Sequence, residues 1–365
     1  MKNDIEVKEN IYKLFWLWGF CPFYEINLYH DIGISKSKQQ ITDIDVLGIK
    51  FTEHLFIDKI VAECKTGKES PIYISMWLRG LMDYFNASKG FVVAGRSVSE
   101  EHKLATTNIS VRLLSYEELT NFLKVYNLKP LEKFNFYRYD LFNEFFRKAF
   151  NSESMFRIRE IVYYKFWAWP DNMKLRFILG EMRKISKYLD GSSKYHQALV
   201  AELFTLVGIA FQIMLSHFFP LYLSPEDKSF LGDRLKFYLY GGKETYDYLN
   251  ALYREIKMVK IEDTLFKEEK NQGLTLPSWN NFIQLFKTFL ENPTSCLFLP
   301  HLFRILAFEK ILANNSNYHI QEILPQVNNI TVKLASDVVD YINSIVNYPK
   351  EISNIIKTAL HEFIS

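Results

Sequence analysis

The first 126 residues alternate between short apolar runs and longer amphipathic runs. Apolar positions at helical spacing predict helices over residues 4–18, 72–87, 99–105 and 115–126. Short runs rich in β-branched and aromatic residues predict strands over 21–30, 91–95 and 109–114, with two further strands between residues 41 and 64. The predicted order is therefore helix, three strands, helix, strand, helix, strand and helix.

After Phe134 the strand pattern nearly disappears, and amphipathic runs typical of helices continue to Ser365. Asn127–Pro130 separates the two patterns and marks the expected domain boundary. The predicted fold class is α+β, with a mixed central sheet followed by an all-α region. The expected domains are residues 1–127 and residues 128–365.

One segment, Leu203–Leu223, contains no Asp, Glu, Lys or Arg. Its 21 residues meet the length of about 20 that a membrane-spanning helix requires. Gln212, His217 and Pro220 interrupt its apolar character, and no comparable second span follows. The segment favours a buried central helix of the all-α region, and a membrane-associated effector is the weaker alternative.

Composition narrows the classes of protein further. A length of 365 residues suits two domains, and a net charge of +2 gives no global basic signal for nucleic acid, so any such binding requires a local patch. Three isolated cysteines and a polar start, MKNDIEVKEN, favour a reducing cytoplasm over secretion. The chain has no G-x-S-x-G motif, Walker A loop or G-x-G-x-x-G motif, so hydrolase triads, kinases and dinucleotide enzymes lose support.

Charged residues interrupt the two central apolar runs at specific positions. In the first run, Asp43 and Asp45 come just before Val46-Leu47-Gly48. The second run ends in Glu63-Cys64-Lys65. Residues two apart on a strand share a face, so Glu63 and Lys65 point one way and Cys64 the other. In an antiparallel pair the carboxylates and the ammonium converge on an apolar sheet, where a divalent cation is the simplest compensation. The alternative is a surface ion pair between Glu63 and Lys65, which contributes only about 0–1 kcal/mol.

The D…ExK arrangement of Asp45, Glu63 and Lys65 resembles the PD-(D/E)xK nuclease superfamily, with the Mrr-type nucleases as the nearest form. The resemblance covers roughly residues 1–125. It implies a restriction-endonuclease-like core, whose element order matches the one predicted above. It also implies that a Glu on the first helix faces the site, and Glu9 is the best match, with Glu6 one turn earlier.

The cofactor expected at this site is Mg²⁺ or Mn²⁺. The predicted ligands are Asp45, Glu63 and the backbone carbonyl of Cys64, and Asp43 competes with Asp45 because both share one strand face. Lys65 is expected to stabilise phosphate charge or to help position and deprotonate the attacking water.

Several basic residues are candidate nucleic-acid contacts. Lys68, Arg79 and Lys89 flank the predicted site, and a polar loop before it carries Lys36 and Lys38. The densest basic stretch lies in the helical region, where a solvated helix face is the alternative to a nucleic-acid groove. Its members are Arg157, Arg159, Lys165, Lys174, Arg176, Arg183, Lys184 and Lys187.

The expected function is a Mg²⁺-dependent endonuclease that acts on nucleic acid, with DNA as the expected substrate. Two-part proteins of this kind resemble effectors of prokaryotic anti-phage defence systems, in which a helical domain senses, oligomerises or binds a protein partner. The alternative is a catalytically silent nuclease fold that assembles a complex through its helical domain. A cytoplasmic location is expected, and a membrane partner is not.

Overall fold

A computed structural model describes residues 2–30, 39–65, 67, 69–223, 231–259, 273–315 and 319–363. Within these residues the protein is α+β, and its strands all lie in the first 115 residues. The predicted fold class is confirmed at this level, because a mixed sheet in the N-terminal region is followed by a helical C-terminal region.

The N-terminal elements follow the predicted order. Their bounds are α1 Lys2–Leu17, β1 Cys21–His30, β2 Gln39–Phe51, β3 Ile57–Lys65, α2 Pro71–Phe85, β4 Lys89–Ala94, α3 Glu100–Thr107, β5 Val111–Ser115 and α4 Tyr116–Val125. Helix α4 begins with the capping box formed by Ser115 and Glu118, in which each side chain bonds the other's backbone N–H. Helix α2 ends at Phe85, two residues before the predicted end at 87, and its C-cap Asn86 has a left-handed conformation.

The five strands form one sheet in the order β1-β2-β3-β4-β5. The first three strands are antiparallel neighbours, as the sequence predicts for β2 and β3. Strands β3, β4 and β5 are parallel, and β4 is almost wholly buried between its neighbours. The carboxyl end of β3 therefore lies level with the carboxyl ends of β4 and β5, and this edge of the sheet carries Glu63 and Lys65.

Helix α1 packs its apolar stripe against the sheet through Val7, Ile11 and Phe15, which are completely buried. Its approach to β2 requires a glycine at position 48. A Cβ at Gly48 would lie 2.7 Å from Ile60 Cγ2 and 3.1 Å from a ring carbon of Phe15. This packing fixes α1 across β2, and it thereby brings the polar residues of α1 near the start of that strand.

The rest of the described chain is mainly helical. Its principal helices are α5 Tyr139–Ala149, α6 Glu153–Glu160, α7 Phe166–Ala168, α8 Asp171–Ile185, α9 Lys194–Tyr222, α10 Leu231–Tyr240, α11 Lys243–Val259, α12 Trp279–Glu291, α13 Leu299–Ile305, α14 Ile320–Ile323, α15 Asn329–Ile345 and α16 Lys350–Glu362. Two π-helical segments, Ile161–Lys165 and Leu306–Leu312, join neighbouring helices. Among the described residues α9 is the helix long and apolar enough to cross a bilayer, and its apolar window is entirely buried in the structure.

The chain divides into two compact units. The first comprises residues 1–151, 159–164 and 308–323, and the second comprises 152–158, 165–307 and 324–365. The predicted boundary after residue 127 therefore falls inside the first unit. One reason is Glu309, whose buried carboxylate accepts hydrogen bonds from the backbone N–H groups of Asn135 at 2.6 Å and Phe136 at 2.9 Å.

Candidate active site

Asp45 and Glu63 meet where β2 and β3 separate. The strands are in register from Phe51↔Ile57 to Val46↔Ala62, so the next opposing positions are Asp45 and Glu63. Asp45 Oδ2 accepts a hydrogen bond of 2.6 Å from the backbone N–H of Cys64. Both carboxylates are buried, with 3% of Asp45 and 1% of Glu63 exposed. The antiparallel pairing thus brings together the two acids that the sequence singles out.

Lys65 completes the predicted group. Its Nζ lies 2.7 Å from Glu63 Oε1, and its side chain is 41% exposed, so the ammonium is reachable from solvent. The second oxygen of Glu63, Oε2, is buried and has no hydrogen-bond partner within the described part of the chain. A buried carboxylate oxygen without a partner is energetically unfavourable, and it leaves a coordination position available to a cation.

A third acid, Glu25 of β1, joins this edge of the sheet. The β1–β2 register pairs Tyr24 with Val46 and Ile26 with Ile44, which sets Glu25 opposite Asp45. One oxygen from each of Glu25, Asp43 and Asp45 lies within 4.8 Å of the others, so these three residues could hold a metal ion. The predicted ligand Asp45 and its predicted competitor Asp43 both belong to this trio. Glu63, the other predicted carboxylate ligand, is not one of its members.

Glu25 has an unusual backbone conformation. Its φ is +54°, a left-handed value that is uncommon for residues other than glycine, asparagine and aspartate. Such conformations concentrate at functional sites, where the surrounding structure compensates for their strain. Here the compensation comes from the Tyr139 hydroxyl, which donates to Glu25 Oε1 at 2.6 Å, and from the ammonium of Lys8. Sequence analysis missed Glu25, although a lone acid within the apolar strand 21–30 was a usable signal.

Lys8 of α1 lies between the carboxylates. Its Nζ is 2.5 Å from Glu25 Oε1 and 2.7 Å from Asp45 Oδ1. Burial would lower the pKa of Lys8, but the charges of Asp45 and Glu25 outweigh it and raise that pKa well above its usual value. Lys8 therefore carries a positive charge into the acidic group at any physiological pH.

The pKa values of Glu63 and Lys65 are both shifted by their surroundings. Burial, followed by the negative charge of Asp45, raises the pKa of Glu63 to about 8, and the bond from Lys65 only partly opposes this. For Lys65 itself, burial acts to lower the pKa, but the hydrogen bond and charge of Glu63 raise it above its usual value. A bound cation would favour the ionised form of Glu63.

Glu9 does not lie where the family resemblance implies. Its carboxylate accepts a 2.8 Å hydrogen bond from the backbone N–H of Tyr139, and the α1 side chain that reaches Asp45 is Lys8. Successive residues on a helix point about 100° apart, so only one of the two can face the carboxylates. Burial raises the pKa of Glu9, which is consistent with a half-buried structural acceptor.

Among the described residues, the structure does not place the predicted nucleic-acid contacts of the first unit beside the carboxylates. Arg79 Nη2 lies 2.6 Å from Asp83 Oδ1, and its Nη1 donates to the carbonyl of Ile109. Ile109 precedes β5 and Lys89 begins β4, both at the end of the parallel strands remote from Lys65. Neither Arg79 nor Lys89 therefore flanks the carboxylates, contrary to the prediction. The other predicted contacts near the site, Lys68 and the loop with Lys36 and Lys38, lie outside the described residues.

Much of the basic stretch in the helical region makes internal contacts. Arg157 and Lys184 both pair with Glu181, at 2.7 Å and 2.8 Å. Lys174 is buried, and its ammonium donates to the carbonyl of Phe166 at 2.9 Å. Lys174 is therefore a structural residue, whereas Arg157 and Lys184 remain largely exposed, with their charges paired to Glu181.

Comparisons with known proteins add no family assignment. A scan against protein-family models and searches of curated proteins and of solved structures found no match to this chain. The chemistry of the site is therefore the basis for inferring a function.

Proposed function

We propose that the protein is a metal-dependent phosphodiesterase that cleaves nucleic acid, with DNA as the favoured substrate. The observation that carries this proposal is the burial and incomplete hydrogen bonding of the Glu63 carboxylate. Its buried carboxylate has one oxygen on Lys65 and one with no hydrogen-bond partner among the described residues, and it lies beside a second buried carboxylate, Asp45. A group of this kind suits a divalent cation, because hard cations prefer several carboxylate oxygens.

Each residue has a role in this proposal. Asp45 and Glu63 would hold Mg²⁺ or Mn²⁺, with Glu25 and Asp43 as the further acids and the Cys64 carbonyl as the predicted third ligand. The cation would supply Lewis acidity to the scissile phosphate. Lys65 remains protonated because Glu63 raises its pKa, so it would stabilise negative charge on the phosphate and would not act as a base.

The architecture supports the same class of enzyme. The order α-β-β-β-α-β-α-β-α and the mixed five-stranded sheet agree with a restriction-endonuclease-like core, with the acids at the shared carboxyl edge of the parallel strands. We propose that the helical unit binds a partner or a second copy of the chain, as expected for a cytoplasmic effector of anti-phage defence.

Cleavage of plasmid DNA tests the proposal. Purified protein with Mn²⁺ or Mg²⁺ is expected to nick or linearise the plasmid, and chelation is expected to stop the reaction. Glu63→Ala and Lys65→Ala should each reduce the rate by about 100-fold or more. Lys124→Ala is the control, since Lys124 is an exposed lysine on α4 bonded to Asn121. Cleavage that persists in Glu63→Ala would sink the proposal.

Lys8 favours a second candidate, the catalytically silent fold that serves an interaction role. Its ammonium already compensates Glu25 and Asp45, so these carboxylates have a partner without a metal ion. Calorimetric titration with Mg²⁺ or Mn²⁺ separates the two candidates, because a silent fold predicts no saturable binding.

A further inference from the structure

The first unit contains a cavity of about 660 Å³, well away from the acidic residues. It lies at the amino ends of the parallel strands, beneath the carboxyl end of α1, and its lining includes Lys50, Lys89 and Arg112. Lys50 lies opposite Asp58 in the β2–β3 register, at the end of this strand pair that is far from Asp45. A volume of this size matches the roughly 300–1,000 Å³ of ordinary small-molecule sites.

Aromatic rings form one side of the cavity. The ring of Trp18 lies 5.5 Å from that of Phe91, 6.3 Å from that of Phe122 and 5.7 Å from that of Tyr126, measured between centroids. Trp18, Phe122 and Tyr126 are only half-buried, so parts of their surfaces face the cavity. A cluster of partly open rings is a stacking surface for a planar ligand.

Basic side chains also line this cavity. Arg112 is exposed and lies over the rings of Phe122, at 5.3 Å, and Phe91, at 5.9 Å. Lys89 is exposed at the start of β4, and Lys50 Nζ donates to the carbonyl of Trp18 at 2.7 Å. A guanidinium beside aromatic rings is restrained in position, and its planar set of N–H donors suits phosphate oxygens.

The cavity also contains one carboxylate. Asp58 lines it and accepts a 2.5 Å hydrogen bond from the hydroxyl of Ser88. Three basic side chains against one acid leave the lining net positive, and the acid is already bound to a neighbouring hydroxyl. The ligand that suits this lining has a planar aromatic part and an anionic part.

We propose that this cavity binds a nucleotide, with the base against the Trp18–Phe122–Tyr126 rings and the phosphate at Arg112 and Lys89. Two sources share this chemistry: a free nucleotide, and one nucleotide of a single strand. Because every base has a π-face, the rings impose little preference among bases. The proposal is independent of cleavage at Glu63.

Isothermal titration in EDTA, without divalent metal, tests the proposal on the full chain. The probes are adenosine 5′-monophosphate, inorganic phosphate and a single-stranded hexadeoxynucleotide. Saturable binding of the monophosphate or the hexamer is expected, with inorganic phosphate weaker because it makes no ring contact. Arg112→Gln and Lys89→Gln should each weaken binding about tenfold, and Lys124→Gln should leave it unchanged.

The relative affinities for the two nucleotide probes distinguish a free nucleotide from a nucleotide within a single strand. Equal affinity for the monophosphate and the hexamer indicates a free nucleotide, and much tighter hexamer binding that both variants weaken indicates a strand. The proposal is overturned if neither nucleotide probe binds saturably at millimolar concentration, or if binding survives both cavity substitutions. Binding is measured without divalent metal and is assigned to the cavity by the Arg112 and Lys89 variants, so a failure here is distinct from a failure of metal-dependent plasmid cleavage.

Discussion

Lys8 Nζ lies 2.7 Å from Asp45 Oδ1, so α1 supplies a positive charge to the carboxylates that could hold a metal ion. Lys8→Met should leave Glu25 and Asp45 buried without this partner. We expect the free energy of unfolding to fall by about 3 kcal/mol in EDTA, because removing one member of a buried ion pair is strongly destabilising.

Mn²⁺ should restore most of the stability lost in Lys8→Met, because the cation can replace the missing ammonium. Urea unfolding with and without Mn²⁺ measures this difference. Lys13→Met is the matched control, since Lys13 is also largely buried on α1 but lies over the ring of Tyr137. Equal Mn²⁺ responses in the two variants would show that Lys8 and the metal do not share a site.

Glu25 and Glu9 offer a direct comparison between the acid found in the structure and the acid implied by the family resemblance. Glu25→Gln should weaken Mn²⁺ binding about tenfold, because it removes one charged oxygen from the trio. Glu9→Gln should leave Mn²⁺ binding unchanged, since Glu9 bonds the backbone of Tyr139. The Mn²⁺ concentration that gives half the maximal rise in melting temperature measures both effects. The reverse ranking would restore Glu9 to the site.

Glu63 should make stability depend on pH in the absence of metal. Between its ordinary pKa of 4.5 and the raised value of about 8, the native carboxyl keeps a proton that the unfolded chain has lost. The unfolded state then binds fewer protons, so stability falls as pH rises through this window and levels off above it.

Glu63→Gln removes this titration. The wild type should therefore lose stability relative to the variant across the window, by about 4 kcal/mol. Urea unfolding in EDTA at both ends of the window gives the difference, and the comparison cancels other titrating groups. Adding Mn²⁺ should abolish the loss in the wild type, because the cation favours the carboxylate. A difference that does not change with pH would contradict the raised pKa.

The helical unit contains a buried ion pair between Arg304 of α13 and Glu202 of α9, with side chains only 2% and 1% exposed. Arg304→Met should lower the free energy of unfolding by about 3–5 kcal/mol, because it leaves Glu202 buried and uncompensated. The double variant Glu202→Leu/Arg304→Met should recover most of this loss. Urea denaturation measures both.

Arg157→Met is the matched surface control for this prediction. Arg157 pairs with Glu181 with 59% of its side chain exposed, so its loss should change stability by less than about 1 kcal/mol. If Arg304→Met is as mild as Arg157→Met, the buried pair contributes little.

The order of elements in the first unit could be predicted because each element has a strong local pattern. The strand Cys21–His30 was predicted to the residue, and period-two alternation placed Glu63 and Lys65 on one face, where their side chains meet at 2.7 Å. The antiparallel pairing of β2 and β3 followed from two adjacent apolar runs. These features depend on neighbours in sequence.

The residues that could not be predicted depend on contacts distant in sequence. Glu25 joins Asp45 through the β1–β2 register, which apolar alternation alone leaves free to shift by two residues. The choice between Lys8 and Glu9 depends on how α1 is rotated over β2, which the packing against Gly48 sets. Likewise, the segment 308–323 joins the first unit through Glu309 and backbone groups 173 and 174 residues away.

Mn²⁺ titration of the purified protein tests the proposal that Asp45 and Glu63 hold a divalent cation. Isothermal calorimetry should show saturable binding in the wild type and in Glu9→Gln. Asp45→Asn and Glu63→Gln should each weaken that binding by about tenfold or more while the variants stay folded. Absence of saturable Mn²⁺ binding in the wild type, or unchanged binding in both variants, would contradict the claim.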